Sequence, residues 1–347
     1  MIKRILFILL MFSSSALRAQ DPTFSQFYLN PLYVNPAYAG MNEGLRVCAN
    51  YRNLWGRIPS RFPTYSLSVD AQNLSISSGL GFNIISDTEG EGSLRTQSFG
   101  VFYSYRAILI PKHMIFHGGI QTSIVSRRVD WSSLIFSDQI DPVLGVVKPT
   151  ATPEPNQQNV FYPDFSAGGV LRFNHNTRRK KLLATWTLGA AIHHLVQPNE
   201  SIIRQRSVLP RRFVGQAGVL IPVRHEVTRN KIAINPQVLY EQQGPMRTFM
   251  ASVTTLVQPV YAGIGVRNQT PLIPDIRRQD ALFISFGLNS NWNKEIFYKM
   301  GYSYDLTVSQ LKASTAGTHE LALVIEFKKF SFNKRLNPKK KTECPDF

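Results

Sequence analysis

The chain has 347 residues, a mass of 39.3 kDa and a formal net charge of +17; 18% of its residues are charged and 11% aromatic. The charged share lies below the roughly 25% usual for soluble domains, and no internal stretch reaches the roughly 18 apolar residues of a membrane helix, so any membrane crossing must use strands. Two cysteines, Cys48 and Cys344, exclude a disulfide scaffold, and no CxxC or Cys/His cluster suggests zinc.

Lys3 and Arg4 precede the apolar run Ile5 to Phe12, and small residues follow as far as Ala19. This is the layout of a secretory signal peptide over residues 1–19, cut after Ala19 or Gln20. The apolar core is too short for a membrane anchor. Losing Lys3, Arg4 and Arg18 leaves 17 − 3 = +14 on the exported protein. A basic balance in that setting does not call for nucleic acid. Outer-membrane lipid such as acidic lipopolysaccharide, peptidoglycan or an acidic protein surface would each attract it.

Residues 20–43 follow as an arm. Pro22, Pro31 and Pro36, with Asn-Pro steps at Asn30 and Asn35, rule out a central strand or a long helix. Phe24, Phe27, Tyr28, Leu32, Tyr33 and Tyr38 are too many apolar and aromatic groups for a solvated tail. An ordered, non-repetitive arm is expected, packed against a partner or, the simpler reading, inside its own protein.

Alternating runs separated by turn residues then fill residues 44–327. They fall at Gly44–Arg52, Phe62–Asp70, Ser78–Asp87, Ser93–Arg106, His113–Val125, Phe161–Asn174 and Lys181–His193. The others are Arg212–Arg224, Lys231–Gln242, Arg247–Val257, Pro259–Asn268, Asp280–Asn291, Lys294–Asp305 and Thr318–Phe327. Each has one apolar face. Leu321, Leu323, Ile325 and Phe327 oppose Glu320, Ala322, Val324 and Glu326, and Phe99, Val101, Tyr103 and Tyr105 oppose Ser98, Gly100, Phe102 and Ser104. About fourteen antiparallel strands with an apolar outside and a polar, small-residue inside read as an all-β transmembrane outer-membrane barrel. A soluble sandwich shares the alternation. It has no reason to alternate its connections, which here are long after strands one, five, seven, eleven and thirteen and mostly short after even-numbered ones. With both termini periplasmic, Ser126–Val160 and His194–Arg211 would be outer loops.

Chemistry is sparse. His193 and His194 stand beside Gln197 and Glu200, but neighbours in a strand point to opposite faces, so the pair is not expected to share a metal. His113, His117, His175, His225 and His319 lack ligand spacing. No catalytic residue, cofactor or metal is expected. Glycines at 79, 81, 118, 119, 168, 169, 263 and 265 are expected to relieve curvature or make room for the arm, and Asp87–Gly92 is expected to be a turn, not a calcium loop. Residues 328–347 form a basic tail, either solvated or docked on an acidic periplasmic partner or peptidoglycan. Phe24, Tyr28 and this tail are expected on one periplasmic side.

Several of these stretches carry a resemblance. QDPTFSQFYLNPLYVNPAYAG is similar to the opening signature of the PorP/SprF family of outer-membrane proteins, from the type IX secretion and gliding motility systems of Bacteroidota. Matches continue in order through Tyr51–Asp70, the HH-x-x-QPNES block at His193–Ser201, Leu209–Phe213, Tyr304–Glu320 and the closing ECPDF. The resemblance implies a non-enzymatic barrel in the outer membrane. It would support secretion and surface anchoring of partner proteins carrying a C-terminal targeting domain, such as gliding adhesins, or be a component of the secretion machine. Partners would include type IX components in the outer membrane and periplasm. Asn30, Pro31, Tyr33, Asn35, Pro36, Tyr38, Arg211 and Arg212 are the candidate partner-binding residues. A passive porin is the alternative, and lumen-facing Phe102, Phe283 and Phe297 with the aromatic arm argue for a filled interior instead.

Overall fold

The computed structural model describes residues 21–56, 62–90, 94–155, 158–176, 182–202, 206–223, 232–269, 279–293, 295–308, 316–328 and 330. The signal-peptide residues and the tail beyond 330, with Cys344, lie outside the described residues.

Fourteen strands close a barrel in which every neighbouring pair is antiparallel. The first five are β1 (Leu45–Leu54), β2 (Pro63–Asn73), β3 (Ser78–Glu89), β4 (Leu94–Ile110) and β5 (Met114–Val129). Two short strands, β6 (Ile140–Asp141) and β7 (Gly145–Val146), pair with each other in the loop that follows. The wall resumes with β8 (Asn159–Asn176), β9 (Leu182–His193), β10 (Arg212–Val223), β11 (Ile232–Gln243) and β12 (Met246–Val257). It ends with β13 (Val260–Asn268), β14 (Gln279–Asn291), β15 (Ile296–Thr307) and β16 (Thr318–Phe327). Closure joins first to last, from Leu45 opposite Phe327 to Leu54 opposite Thr318. All fourteen expected strands are present, with ends displaced by a few residues.

The alternation sorts side chains as expected. Leu321, Met300, Phe286, Ile284, Tyr103 and Tyr105 are exposed on the outer face, while Glu320, Ser303, Ser285, Ser104, Phe102 and Phe283 are buried inside. Phe297 is only half-buried, under the Lys328 ammonium. No helix among the described residues is long and apolar enough to cross a membrane. A closed ring of strands satisfies its own backbone groups, which is what a lipid environment requires.

One end of the barrel carries the connections β1–β2, β3–β4, β5–β8, β9–β10, β11–β12, β13–β14 and β15–β16; the other carries the remaining turns and the start of β1 and end of β16. We call these the loop end and the turn end. The connection β11–β12, which follows the ninth wall strand and is not among the long ones expected, is a tight turn at Gly244 and Pro245 on the loop end.

The arm lies inside. It is a chain of single turns: a 3₁₀ turn at Phe27–Leu29, an α turn at Pro31–Val34 and a 3₁₀ turn at Pro36–Tyr38. Each proline opens its turn, where its missing N–H costs nothing. Asn35 is extended, and its side-chain oxygen accepts the Ala37 N–H at 2.9 Å, capping the last turn. Most of the apolar clusters inside the barrel are built on this arm. Leu29 packs with Leu256, Tyr261 and Val324; Phe27 and Val34 pack with Val214, Leu239 and Met250; Leu32 packs with Phe102.

Candidate functional site: a luminal arm and its sockets

The arm runs along the lumen with Asp21 at the loop end and Gly40 at the turn end. Asp21 meets His194 and Gln243, both at the loop ends of their strands. The Gly40 N–H donates to Asp70 at 2.8 Å near the β2–β3 turn. This corrects one expectation: Phe24, which stacks edge-on with Tyr33 at 5.2 Å, sits in the loop-end half and not at the turn end, where β16 finishes.

Three sockets hold it. The first receives the loop-end tip. The Asp21 carboxylate accepts from His194 Nε2 at 2.8 Å and from Arg212 at 3.3 Å, and the other His194 ring nitrogen meets Asp164 at 2.8 Å. Burial opposes a charge on His194, but the carboxylates on either side outweigh it and push its pKa up to about 9. Burial likewise would raise the Asp21 carboxyl; His194 and Arg212 hold it well below its ordinary range. Arg212 also donates to the Tyr33 hydroxyl at 2.8 Å and the Tyr33 carbonyl at 3.3 Å, while that hydroxyl donates to the Pro22 carbonyl.

The second socket is a buried square of charge on β1, β13, β15 and β16. Arg52 reaches Glu320 at 3.0 Å and Asp305 at 3.3 Å, and Arg267 reaches Asp305 at 3.0 Å. Two arm amides complete it: the Ser25 and Gln26 N–H groups each donate to a Glu320 oxygen at 2.9 Å. Ser25 Oγ donates to Asp305 at 2.6 Å. Asp305 Oδ1 is the one oxygen of the two carboxylates left without a donor, and deleting any partner of such a buried network is costly.

The third socket is one of shape. A Cβ on Gly119 would stand 2.5 Å from the Ala37 backbone, and one on Gly79 would stand 2.1 Å from the Ala39 carbonyl oxygen. A Cβ on Gly168 would stand 2.2 Å from Asn35 Oδ1. Asn35 Nδ2 donates to the Gly169 and Ala190 carbonyls at 3.1 Å each. Glycine in these strands therefore lets another backbone approach. Gly263 and Gly265 instead face wall side chains, among them Ser285 and Phe283.

The expected histidine geometry needs correction. His194 has φ of +58°, which breaks the strand alternation and turns its ring inward. Both histidines are buried, with ring centroids 6.4 Å apart. Each is a hydrogen-bonding group: His193 meets Ser166 Oγ at 3.1 Å and the Val34 carbonyl at 3.2 Å. Among the described residues no group of three or more His, Cys, Asp or Glu could hold a metal.

Of the sequence-derived candidates, Asn30, Pro31, Tyr33, Asn35 and Pro36 are buried in the arm and Tyr38 is half-buried. Arg212 joins them as an anchor. Arg211 stands apart, exposed, donating to the Leu195 carbonyl at 3.2 Å. Sequence reasoning missed Arg46, Arg52, Asp70, Arg267, Asp305 and Glu320. The signal was present as charged residues on the inward face within a few positions of the strand ends. Several fall inside the blocks that carried the resemblance: Arg52 and Asp70 in the second, His193 and His194 in the third, Asp305 and Glu320 in the fifth.

Residues 16–325 match the family described as type IX secretion system membrane protein PorP/SprF. The chain belongs to this family. No curated protein matches the chain in sequence. Among solved structures it is similar to the CymD monoaromatic hydrocarbon channel, with TM-score 0.43 and 10% identity over 88% of this chain and 93% of that one. It is also similar to the Ralstonia pickettii toluene transporter TbuX, with TM-score 0.43 and 10% identity over 85% of this chain and 93% of that one. The translocator domain of the autotransporter NalP from Neisseria meningitidis matches with TM-score 0.34 and 11% identity, over 82% of this chain and 88% of that one. The barrel and the PorP/SprF assignment point to the outer membrane and to association with the secretion machinery. Neither is a known enzyme class.

Proposed function

We propose that this PorP/SprF barrel is a non-enzymatic support of type IX secretion. It would aid secretion and surface anchoring of partner proteins carrying a C-terminal targeting domain, or act as a component of the machine. One observation supports the reading: the arm runs the length of the lumen and is anchored towards both ends, with a cavity of about 180 Å³ left beside it in the turn-end half, so binding falls to the loops, rim and turn-end face. Arg211, exposed on the long β9–β10 loop, is the candidate residue a partner can reach directly. Asn30, Pro31, Tyr33, Asn35, Pro36, Tyr38 and Arg212 would act by holding the arm. In the same reading residues 1–19 are a cleaved signal peptide and the basic tail faces the periplasm.

The porin alternative needs an open lumen, and the arm stands across it. An enzyme reading would need Ser and His to converge where substrate can enter. Ser166 and His193 do meet and both border the loop-end cavity, but the second ring nitrogen of His193 is taken by the Val34 carbonyl and no carboxylate among the described residues orients the ring. The test is the Tyr33→Ala/Tyr38→Ala double variant in the native host. Normal barrel levels with lost client secretion or attachment support the proposal; unchanged secretion and unchanged levels refute the arm's part in it. Reconstituted native protein with a large steady conductance would favour the porin.

A further inference from the structure

The mouth at the loop end holds charge that the arm does not use. A cavity of about 110 Å³ lies there, lined by the carboxylates Asp21, Asp87, Glu89, Asp164 and Glu200 and by Arg127, His194 and Arg212. The three cations have partners: Arg127 pairs with Glu200, His194 lies between Asp21 and Asp164, and Arg212 reaches Asp21. Asp87 and Glu89, two apart on β3 and so on one face of it, form no ion pair among the described residues. Asp87 accepts a hydrogen bond from Thr64 at 2.5 Å.

A second observation is independent of that acidic pair. Asn83 Oδ1 and Asp164 Oδ1 line the same cavity and have no hydrogen-bond donor, on residues 3% and 4% exposed. Buried acceptors without donors are costly. What these two acceptors lack is a hydrogen-bond donor, and the five carboxylates around them outnumber the three cations, so a donor carrying positive charge answers both. A third feature gives the shape of its carrier. Val125, Tyr162 and Leu209 form an apolar cluster on the cavity wall. A charged head among carboxylates with an apolar stem along Val125 and Tyr162 is how a long basic side chain is bound. Divalent metal is poorly served, since no metal-holding group converges among the described residues.

We infer that this cavity is a binding site for a primary ammonium or guanidinium group on a short alkyl stem, carried by a basic peptide side chain or by a small free amine. The full-length protein, folded in detergent, is titrated calorimetrically with cadaverine and, separately, with a lysine side chain in a blocked tripeptide. Saturable binding is expected, and whichever ligand binds tighter identifies the source. Asp87→Asn combined with Glu89→Gln should weaken binding by roughly tenfold or more, the loss expected for a charge-assisted contact. Heat-modifiable migration shows that the variant barrel is folded; should it not be, Glu89→Gln alone is tested, and its half-buried position at the rim leaves the fold intact. Tetramethylammonium, which has no N–H, should not compete. Absence of saturable binding, equal binding of tetramethylammonium, or affinity unchanged in the folded variants would overturn the site, as would displacement of cadaverine by millimolar magnesium.

Discussion

Between Asp21 and Gln26 the arm is held by charge: His194, Arg212, Glu320 and Asp305 each bond to it directly. Between Pro31 and Gly40 it is held mostly by fit, its backbone lying against Gly79 and Gly119 and the Asn35 side chain against Gly168. Among the described residues, charged groups touch this half only at its two edges, where Arg212 donates to Tyr33, the Gly40 N–H donates to Asp70 and Arg46 donates to the Tyr38 carbonyl at 3.1 Å. The two halves should therefore answer to different insults. Charge can be titrated or deleted without filling space, whereas fit fails only when an atom is added. Hydrogen exchange on peptides covering each half reads them separately, because local openings have their own free energies.

The largest separation should come from Glu320→Ala. It removes the acceptor of two arm amides and leaves Arg52 with half its charge compensation. Breaking a buried network by deleting one partner costs about 3–5 kcal/mol. Exchange should rise sharply at Ser25 and Gln26 and little at Ala37 to Gly40. Equal loss in both halves would mean that the arm opens as one cooperative unit.

A pH scan should follow. The raised pKa of His194, about 9 against an ordinary 6.5, gives stability that is complete below the ordinary value and fades as pH rises through about 9. Asp21 works in the opposite sense, its contribution present above its ordinary 3.8 and lost as pH falls. The clamp is thus complete between the ordinary values of 3.8 and 6.5, and its alkaline limb amounts to about 3 kcal/mol. Protection of the loop-end half, corrected for intrinsic exchange, should fall as pH rises from about 6.5 to about 9 and level off beyond it, while the other half holds. His194→Gln should flatten that limb; a limb that persists in the variant assigns the effect elsewhere.

This division was only half legible in the sequence. The wall was legible because lipid-facing positions must be apolar at every second residue, and Phe99, Val101, Tyr103 and Tyr105 cannot be read otherwise. So was a packed arm, since Pro31, Pro36, Tyr33 and Tyr38 have no place in a solvated tail. Glycine at 79, 119 and 168 hinted at where it docks. The ionic half was hidden for two reasons. Its contacts span the whole chain, Ser25 and Glu320 being 295 residues apart, and no local period encodes a pairing across a lumen. The turn at His194 then broke the rule that assigned its ring to the wrong face. The arm's direction, which depends on that contact, could not be read without it.

Gly119→Ala tests the fitted half. The new Cβ meets Ala37 backbone at 2.5 Å, and a backbone cannot rotate aside as a side chain can. Overpacking of this kind costs about 1–3 kcal/mol. Exchange at Ala37 to Gly40 should rise with Ser25 and Gln26 still protected, the mirror image of Glu320→Ala. Gly118→Ala is the control, because its Cβ would face Phe116 at an ordinary 3.4 Å on the other side of the strand. If both alanines behave alike, the close approach does not govern the fit.

The smallest effect divides two tyrosines of the same arm. The Tyr33 hydroxyl accepts from Arg212 and donates to the Pro22 carbonyl, so it ties the α turn to the ionic half. Tyr33→Phe keeps the ring, its edge contact with Phe24 and the Arg212 guanidinium 4.6 Å from its centroid. It should lose about 1–2 kcal/mol, the worth of a hydrogen bond to a charged group with some water replacing it. Tyr38 serves mainly through its ring, half-buried against Leu32, Ala39 and Phe102, and through its carbonyl on Arg46. Tyr38→Phe keeps both and should change exchange in neither half. Alanine at either position removes the ring and should cost several times more than phenylalanine does. A Tyr38→Phe loss as large as that of Tyr33→Phe would mean that the fitted half also depends on a polar tie, and the contrast between the halves would fail at that residue.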